Sequence, residues 1–291
     1  MSAVVASLQS QLNAYVRQVR LSALSDTLKA HYIYTYTQNI IKMVTKYRTP
    51  VKSALLVGIN YKGAPYQLEG CINDVTNMRD YLQGKRGFQN VVMLTDDTVA
   101  KPTKRNILNE FTKMLQNAVI GDILFFGFSG HGTETIDLNR DEVDSMDEVL
   151  VPIDVTNLQS CIMDDELRRI INLNLKPGVM LYALLDCCFS GTAFDLKYNY
   201  LARPNPFVGD TPSQVYMISG CADRNVSIEG TVNGKPAGAM TTAFLECTKS
   251  GTPTLKQLID GMRGWLNTNQ VPQQPQLSCG TMPNFTREFF V

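Results

Sequence analysis

Three short and almost wholly apolar runs constrain the fold more than any other feature of this sequence. They are SALLVGI at 53–59, DILFFGF at 122–128 and VMLYALL at 179–185. Runs of this length suit a strand better than a helix, and an apolar residue at nearly every position indicates burial on both faces. Strands of this kind occur in parallel sheets whose two faces are covered by helices.

Segments with helical periodicity alternate with these runs, because apolar residues recur there three or four positions apart. Helices are predicted at 70–82, 102–115, 164–171, 239–249 and 254–266, and further strands at 90–94, 214–219 and 275–279. The alternation predicts an α/β fold, a three-layer αβα sandwich with a mostly parallel central sheet. The functional site of such a fold lies at the carboxyl ends of its strands.

Residues 1–50 differ from the remainder of the chain. Apolar residues at helical spacing from Leu8 to Val19 indicate an amphipathic helix, and Thr49-Pro50 marks a boundary. The helix either packs on the main domain or forms a removable or occluding pro-segment. The main domain is expected at 51–291, with a larger part ending near 203 and a smaller part at 213–291, separated by the proline-rich loop 201–213.

The balance of charge excludes some classes of partner. Lysine and arginine total 27, as do aspartate and glutamate, so the chain has no overall attraction for nucleic acid or anionic membranes. No apolar run approaches the roughly 18 residues of a membrane span, and no secretory leader is evident. The seven cysteines are irregularly spaced without a C-x-x-C pair, which indicates free thiols in a reducing compartment. A soluble cytoplasmic protein is therefore expected.

Reactive side chains follow two of the apolar runs. SGHG, with His131, comes directly after the strand at 122–128, and Cys188 follows the strand at 179–185. A thiol needs a nearby base to form a thiolate at neutral pH, and adjacent parallel strands lie about 5 Å apart. A single histidine is often structural, but its pairing with a cysteine at a neighbouring strand end favours a catalytic dyad.

In these segments the sequence resembles the metacaspases, a branch of the caspase-like cysteine peptidases. The matching motifs are SGHGT (129–133), DCCFSG (186–191), DEVLVPID (147–154), GCINDV (70–75) and MDDEL (163–167), and in order and spacing they cover about 53–285. The chain looks like a compact, type I-like form of the trypanosomatid group. The resemblance implies a caspase-like fold, a monomer, protein or peptide substrates, and a zymogen that processes itself at an exposed basic residue such as Lys46, Arg48 or Lys235.

The resemblance also assigns roles to individual residues. It implies Cys188 as the nucleophile, His131 as its base, and the backbone N–H groups of Gly132 and Cys188 as the oxyanion hole. The S1 pocket, which receives the side chain before the scissile bond, is assigned to Cys71, Asp74, Ser129 and Asp186. Carboxylates there suit cleavage after arginine or lysine. A simpler alternative is that Asp74 caps or pairs within its helix and that Asp186 only supports the turn.

A calcium site is a further implication of the resemblance. Calcium takes six to eight oxygen ligands, and separated carboxylates that converge in space can supply them. The ligands implied are Asp164, Asp165 and Asp195, with a fourth from the 144–148 stretch, taken as Asp147, and bound Ca²⁺ would activate the enzyme. The alternative is that the acidic loop at 137–148 is simply solvated.

One departure from the family pattern keeps a second function open. Phe189 stands directly after the proposed nucleophile, where the family usually has histidine. A catalytically weak or inactive caspase-fold protein that acts by binding is therefore the alternative to an active peptidase. A nucleotide-binding α/β protein is a third interpretation, but the sequence lacks the G-x-G-x-x-G and P-loop motifs.

Overall fold

The computed structural model describes residues 2–136, 146–187, 193–221, 229–232 and 235–290. The strands in chain order are β1 (Lys52–Gly58), β2 (Asn90–Thr95), β3 (Ile123–Ser129), β4 (Gly132–Ile136), β5 (Met146–Leu150), β6 (Ile162–Met163), β7 (Met180–Asp186), β8 (Tyr198–Asn199), β9 (Val215–Cys221), β10 (Glu229–Val232), β11 (Lys235–Gly238) and β12 (Gln274–Cys279). The helices are α1 (Ala3–Leu21), α2 (Asp26–Val44), α3 (Cys71–Arg86), α4 (Lys104–Asn117), α5 (Asp164–Asn174), α6 (Ala239–Thr248) and α7 (Leu255–Thr268).

Seven of the described strands form a central sheet in the order β2-β1-β3-β7-β9-β12-β8. The first five run parallel, whereas β12 and β8 are antiparallel to their neighbours. The predicted α/β fold with a mostly parallel central sheet is therefore confirmed. Each strand expected from the sequence is present within one or two residues of its predicted bounds.

The alternation of side chains along β3 divides the core into two layers. Phe126 and Phe128 pack on one face of the sheet together with apolar residues of α4 and α5. Phe125 packs on the other face with apolar residues of α3, α6 and α7. Because all seven residues of β3 and of β7 are buried, both strands need a helical layer on each face. Burial of each phenylalanine contributes about 1.5–3 kcal/mol.

The N-terminal segment is a hairpin of two helices, α1 and α2. Leu12 and Val16 pack against Val44 and against Ile120, which precedes β3. Gln9 accepts a hydrogen bond from the Ile120 N–H and donates one to the carbonyl of Pro177, both at 2.9 Å. The hairpin therefore lies at the amino ends of β3 and β7, the edge of the sheet opposite to His131.

The second helix of this hairpin was not predicted from the sequence. Tyr32, Tyr34 and Tyr36 alternate with other residues in α2, and this period of two is typical of a strand. Packing against α1 overrides that local preference. One such contact is the stacking of Tyr15 on Tyr36, whose ring centroids are 3.9 Å apart.

A small antiparallel sheet of β4, β5 and β6 adjoins the end of β3. The expectation of an acidic loop through residue 148 was wrong for its last three residues, which begin β5. The acidic pair Asp147-Glu148 is typical of a loop, but pairing of Asp147 with Thr135 and of Glu148 with Glu134 holds both residues in a strand. Residues 137–145 of the expected loop lie outside the described residues.

Helix ends in this fold follow ordinary capping chemistry. The side chains of Thr103 and Thr254 accept hydrogen bonds from backbone N–H groups in the first turns of α4 and α7. Gly87 ends α3 in a left-handed conformation with φ of 69°, which glycine adopts without a steric penalty. Over the described residues, no helix is both long and apolar enough to cross a bilayer.

Candidate active site

The candidate site lies where the carboxyl ends of three neighbouring strands meet. Gly58 at the end of β1 pairs with Ser129 at the end of β3, and Ser129 pairs with Asp186 at the end of β7. His131 follows Ser129 by two residues, between β3 and β4. Ser129, His131 and Asp186 are therefore at one edge of the sheet, as the rule for parallel sheets requires.

The orientation of the His131 imidazole is set by a main-chain carbonyl. Its Nε2 lies 2.7 Å from the carbonyl oxygen of Tyr66. Because a carbonyl oxygen can only accept a hydrogen bond, Nε2 carries the hydrogen of the neutral ring. The lone pair of the neutral ring is then on Nδ1. His131 thus has one nitrogen held by the protein and the other able to accept a proton.

The proposed nucleophile, Cys188, and the following Phe189 lie outside the described residues. The adjacent Cys187 is described and is fully buried. Burial also raises the pKa of Cys161, Cys247 and Cys279. These three thiols therefore stay protonated near neutral pH, which makes them poor nucleophiles.

The structure brings together the residues assigned to the S1 pocket. The Ser129 hydroxyl donates a hydrogen bond of 2.7 Å to Oδ2 of Asp74, and both side chains are buried. A Cβ atom built on Gly238 would clash with Oδ2 of Asp186 and would lie 2.8 Å from Oδ2 of Asp74. Both carboxylates therefore converge on the same glycine. Cys71 is the buried first residue of α3, one turn before Asp74.

Both carboxylates also hold the junction between β11 and α6. The N–H of Gly238 donates to Oδ1 of Asp74, and the N–H of Thr241 donates to Oδ2 of Asp186, each at 2.8 Å. Negative charge is favourable at the N-terminus of α6 because the helix dipole is positive there. Sequence reasoning missed Gly238 and Thr241. Asp74 and Gly238 are separated by 164 residues, and no local motif marks such a contact.

The acidic residues proposed for calcium lie around the start of α5. Asp164 is buried and accepts hydrogen bonds from the N–H groups of Glu148 at 2.6 Å and of Asp165 at 2.8 Å. Asp195 is also buried, has a φ of 47°, and accepts a hydrogen bond from Arg168 of α5 at its carbonyl oxygen. The side chain of Asp147 is not among the side chains that the structure describes. Among the described side chains, no three histidines, cysteines or carboxylates are arranged to hold a metal ion.

A cavity of about 540 Å³ borders His131. Its lining is mostly apolar or uncharged and includes Tyr66, Val151, Leu158 and Cys161. A second cavity, of about 450 Å³, lies between the α1–α2 hairpin and the amino ends of the strands. The first cavity is the one relevant to chemistry at His131, since the second lies at the opposite edge of the sheet.

The fold and the site together define a class of protein. A parallel sheet between helical layers, with histidine after β3 and a cysteine pair after β7, is the architecture of the caspase-like cysteine peptidases. Residues 52–197 match the family described as metacaspase, peptidase C14 domain. The chain belongs to the metacaspase family.

Curated relatives support this membership. Metacaspase-1 of Botryotinia fuckeliana is 37% identical in a match that covers 79% of this chain and 68% of that protein. Metacaspase-1 of Kluyveromyces lactis is 35% identical over 78% of this chain and 66% of its own length. Metacaspase-1 of Ajellomyces capsulatus is 37% identical over 79% of this chain and 80% of its own length. These three relatives are fungal, and the assignment to a trypanosomatid-type subgroup stays a prediction.

A solved structure agrees in fold. The crystal structure of protein GSU0716 from Geobacter sulfurreducens superposes with a TM-score of 0.62. It is 21% identical, and the match covers 83% of this chain and 99% of that one. At this identity the similarity supports the architecture alone.

Proposed function

We propose that this protein is a cysteine endopeptidase that cleaves peptide bonds after arginine or lysine, with Cys188 as nucleophile and His131 as base. The observation that carries the proposal is the convergence of two buried carboxylates, Asp74 and Asp186, at the same strand ends as an oriented imidazole. A guanidinium or ammonium group is the natural partner of such carboxylates.

The proposed reaction begins with a proton transfer from the thiol of Cys188 to Nδ1 of His131. The thiolate attacks the scissile carbonyl carbon, and its electrons move onto the carbonyl oxygen. The tetrahedral intermediate collapses when the C–N bond breaks and His131 gives its proton to the leaving amine. Water, deprotonated by His131, then hydrolyses the acyl-enzyme. The Tyr66 carbonyl stabilises the imidazolium by accepting the hydrogen bond from Nε2.

In the tetrahedral intermediate the carbonyl oxygen carries a negative charge, and hydrogen-bond donors must be positioned to stabilise it. The family resemblance assigns this role to the backbone N–H groups of Gly132 and Cys188. Such a donor contributes about 3 kcal/mol to transition-state stabilisation. Gly132 is the first residue of β4 and pairs with Leu150, which fixes its backbone beside His131.

The cavity beside His131 is proposed to receive the residue that follows the scissile bond. None of the four residues assigned to the S1 pocket lines it, and His131 must face the leaving amine in order to protonate it. Its lining of Val151, Val155 and Leu158 suits an apolar or uncharged side chain at that substrate position.

Calcium is proposed as an activator, held by Asp164, Asp165, Asp195 and Asp147. Asp164 and Asp195 are buried, and carboxylates are hard oxygen donors of the kind that calcium prefers. The bond from the Glu148 N–H places Asp164 beside β5, the strand that contains Asp147, and Arg168 links Asp195 to α5. When bound, the ion would link the segments that carry these acidic residues. Isothermal titration of the Cys188→Ala protein with Ca²⁺ tests binding without activity, and Asp195→Ala should weaken it.

Hydrolysis of a fluorogenic peptide tests the proposed function. A peptide that ends in arginine is compared with one that ends in aspartate, with millimolar calcium or with a chelator. Calcium-dependent cleavage after arginine alone is the expected result. Failure of the folded protein to cleave either peptide would contradict the proposal and favour a non-catalytic binding protein.

A further inference from the structure

Tyr61, in the loop that follows β1, is buried next to His131 and bonded to its backbone. The Tyr61 hydroxyl accepts a hydrogen bond from the His131 N–H at 2.9 Å and donates one to the Val151 carbonyl at 2.7 Å. The Val151 N–H in turn donates to the His131 carbonyl at 3.1 Å. Both main-chain polar groups of His131 are therefore held in one network with Tyr61 and Val151.

The ring of Tyr61 also contacts the imidazole. The two ring centroids are 4.8 Å apart and the planes are tilted by 37°. The same tyrosine ring meets the ring of Tyr66 edge-on at 5.6 Å, and Tyr66 supplies the carbonyl that accepts from Nε2. Tyr61 thus packs against both partners of the hydrogen bond that orients His131.

The backbone of Tyr61 is held in an uncommon conformation. Its φ of 52° lies in the left-handed region, which a bulky side chain rarely adopts. The buried carboxylate of Asp96 accepts from the N–H of Asn60 at 2.8 Å and from the N–H of Lys62 at 2.9 Å. It therefore holds the N–H groups of the two residues that flank Tyr61. Strain that the surrounding structure maintains in this way is typical of functional sites.

We propose that Tyr61 is a positioning residue for His131, held in place by Asp96. It keeps Nε2 on the Tyr66 carbonyl and leaves Nδ1 as the nitrogen that accepts a proton. This inference rests on the proposed function, since it concerns the same base. Burial raises the pKa of Tyr61 well above its ordinary value, so the hydroxyl stays protonated and acts as a fixed donor to Val151.

The Tyr61→Phe variant tests the proposal because it keeps the ring and removes the hydroxyl. We expect kcat for the arginine peptide to fall about tenfold or more, with KM within about twofold, because a misplaced base slows the chemical step. The bell-shaped pH profile of kcat/KM should also narrow. A loosened imidazole stabilises the thiolate–imidazolium pair less, so the reactive pair is populated over a narrower range of pH.

The width of the pH profile distinguishes misplacement of His131 from a general loss of stability as the cause of a lower kcat. Partial unfolding lowers the whole profile and leaves its width unchanged. Tyr216→Phe is the matched control, because this buried tyrosine of β9 also hydrogen-bonds through its hydroxyl, to Gln214, away from His131. It should keep the wild-type profile.

Asp96→Asn provides a second variant that leaves Tyr61 intact. The amide can accept only one of the two backbone hydrogen bonds, so the profile should narrow here as well. If both folded variants kept the wild-type kcat and the wild-type width of the pH profile, the inference would be overturned and the peptidase proposal would stand. Absence of turnover in the wild type would instead overturn the proposed function.

Discussion

At the scale of single residues, Asp74 and Asp186 have two tasks. Each accepts a backbone hydrogen bond from the β11–α6 junction, and each is proposed to face the cation of the substrate. The simpler interpretation from the sequence, in which Asp74 pairs within its own helix, does not describe these contacts. A variant that keeps the hydrogen bond but removes the charge can separate the two tasks.

Asp186→Asn is such a variant, since an amide oxygen can still accept from the Thr241 N–H. We expect kcat/KM for an arginine peptide to fall at least about 30-fold, as about 2 kcal/mol is the lower range for loss of one buried charged partner. The melting temperature should change little. Asp80→Asn, at an exposed position on α3, should have no effect on either quantity. Unchanged cleavage after arginine in Asp186→Asn would contradict the S1 assignment.

The adjacent cysteines give a second residue-scale prediction. Cys188→Ala should abolish turnover because it removes the proposed nucleophile. Cys187→Ala should retain most of it, since Cys187 is fully buried. Peptide hydrolysis by both purified variants checks the prediction, with circular dichroism to confirm folding. The reverse result would move the nucleophile to Cys187.

At the scale of elements, Asp122 joins the end of the N-terminal segment to the start of β3. Its buried carboxylate accepts from Arg48 at 2.6 and 3.3 Å, from the Val51 N–H at 2.8 Å and from the Val119 N–H at 3.0 Å. Arg48 is one of the three basic residues named above as candidate sites of self-processing. Its guanidinium would have to leave this carboxylate before it could enter an S1 pocket.

Asp122→Ala should lower the free energy of unfolding by about 3 kcal/mol, because it leaves a partly buried cation and two backbone donors without their acceptor. Urea denaturation measures this change. Glu110→Ala, which removes an exposed ion pair with Lys113 on α4, should cost less than about 0.5 kcal/mol. Equal effects of the two variants would show that the Asp122 contacts contribute little.

The elements also show what the sequence could predict. The runs at β3 and β7 are apolar at almost every position, so both their strand state and their burial follow from local pattern. The placement of His131 and Asp186 at one edge follows from the parallel order of those strands. The second helix and the strand β5 were missed, because contacts with α1 and β4 decide their state. The network around Tyr61 joins residues from three separate segments, and the sequence carries no local signal for it.

At the scale of the whole molecule, buried tyrosine hydroxyls make the free energy of unfolding depend on pH in the alkaline range. Tyr182 of β7 is completely buried, and burial raises its pKa from 10.0 to about 12. Between these values the unfolded chain loses the proton while the native protein keeps it. Stability therefore falls as pH rises through this window.

Tyr182→Phe removes this contribution. The difference in unfolding free energy between wild type and variant should be nearly pH-independent below pH 9, and by pH 11 it should shift by about 1.4 kcal/mol against the wild type. Urea denaturation at the two pH values measures the shift. Tyr47→Phe, at an exposed position, should follow the wild type. A constant difference between wild type and Tyr182→Phe would contradict the raised pKa.

The proline-rich loop at 201–213 separates two parts of the chain that contact each other directly. Strand β7, before the loop, pairs with β9, after it. Asp74 and Asp186, before the loop, accept hydrogen bonds from Gly238 and Thr241, after it. Nicking the loop would therefore yield two polypeptides sharing one hydrophobic core. Such a molecule should separate into two bands on a denaturing gel, yet elute from a sizing column as a single particle of unchanged mass. The fold would then not depend on an unbroken chain through this loop. The nicked form would keep both halves of the candidate site together.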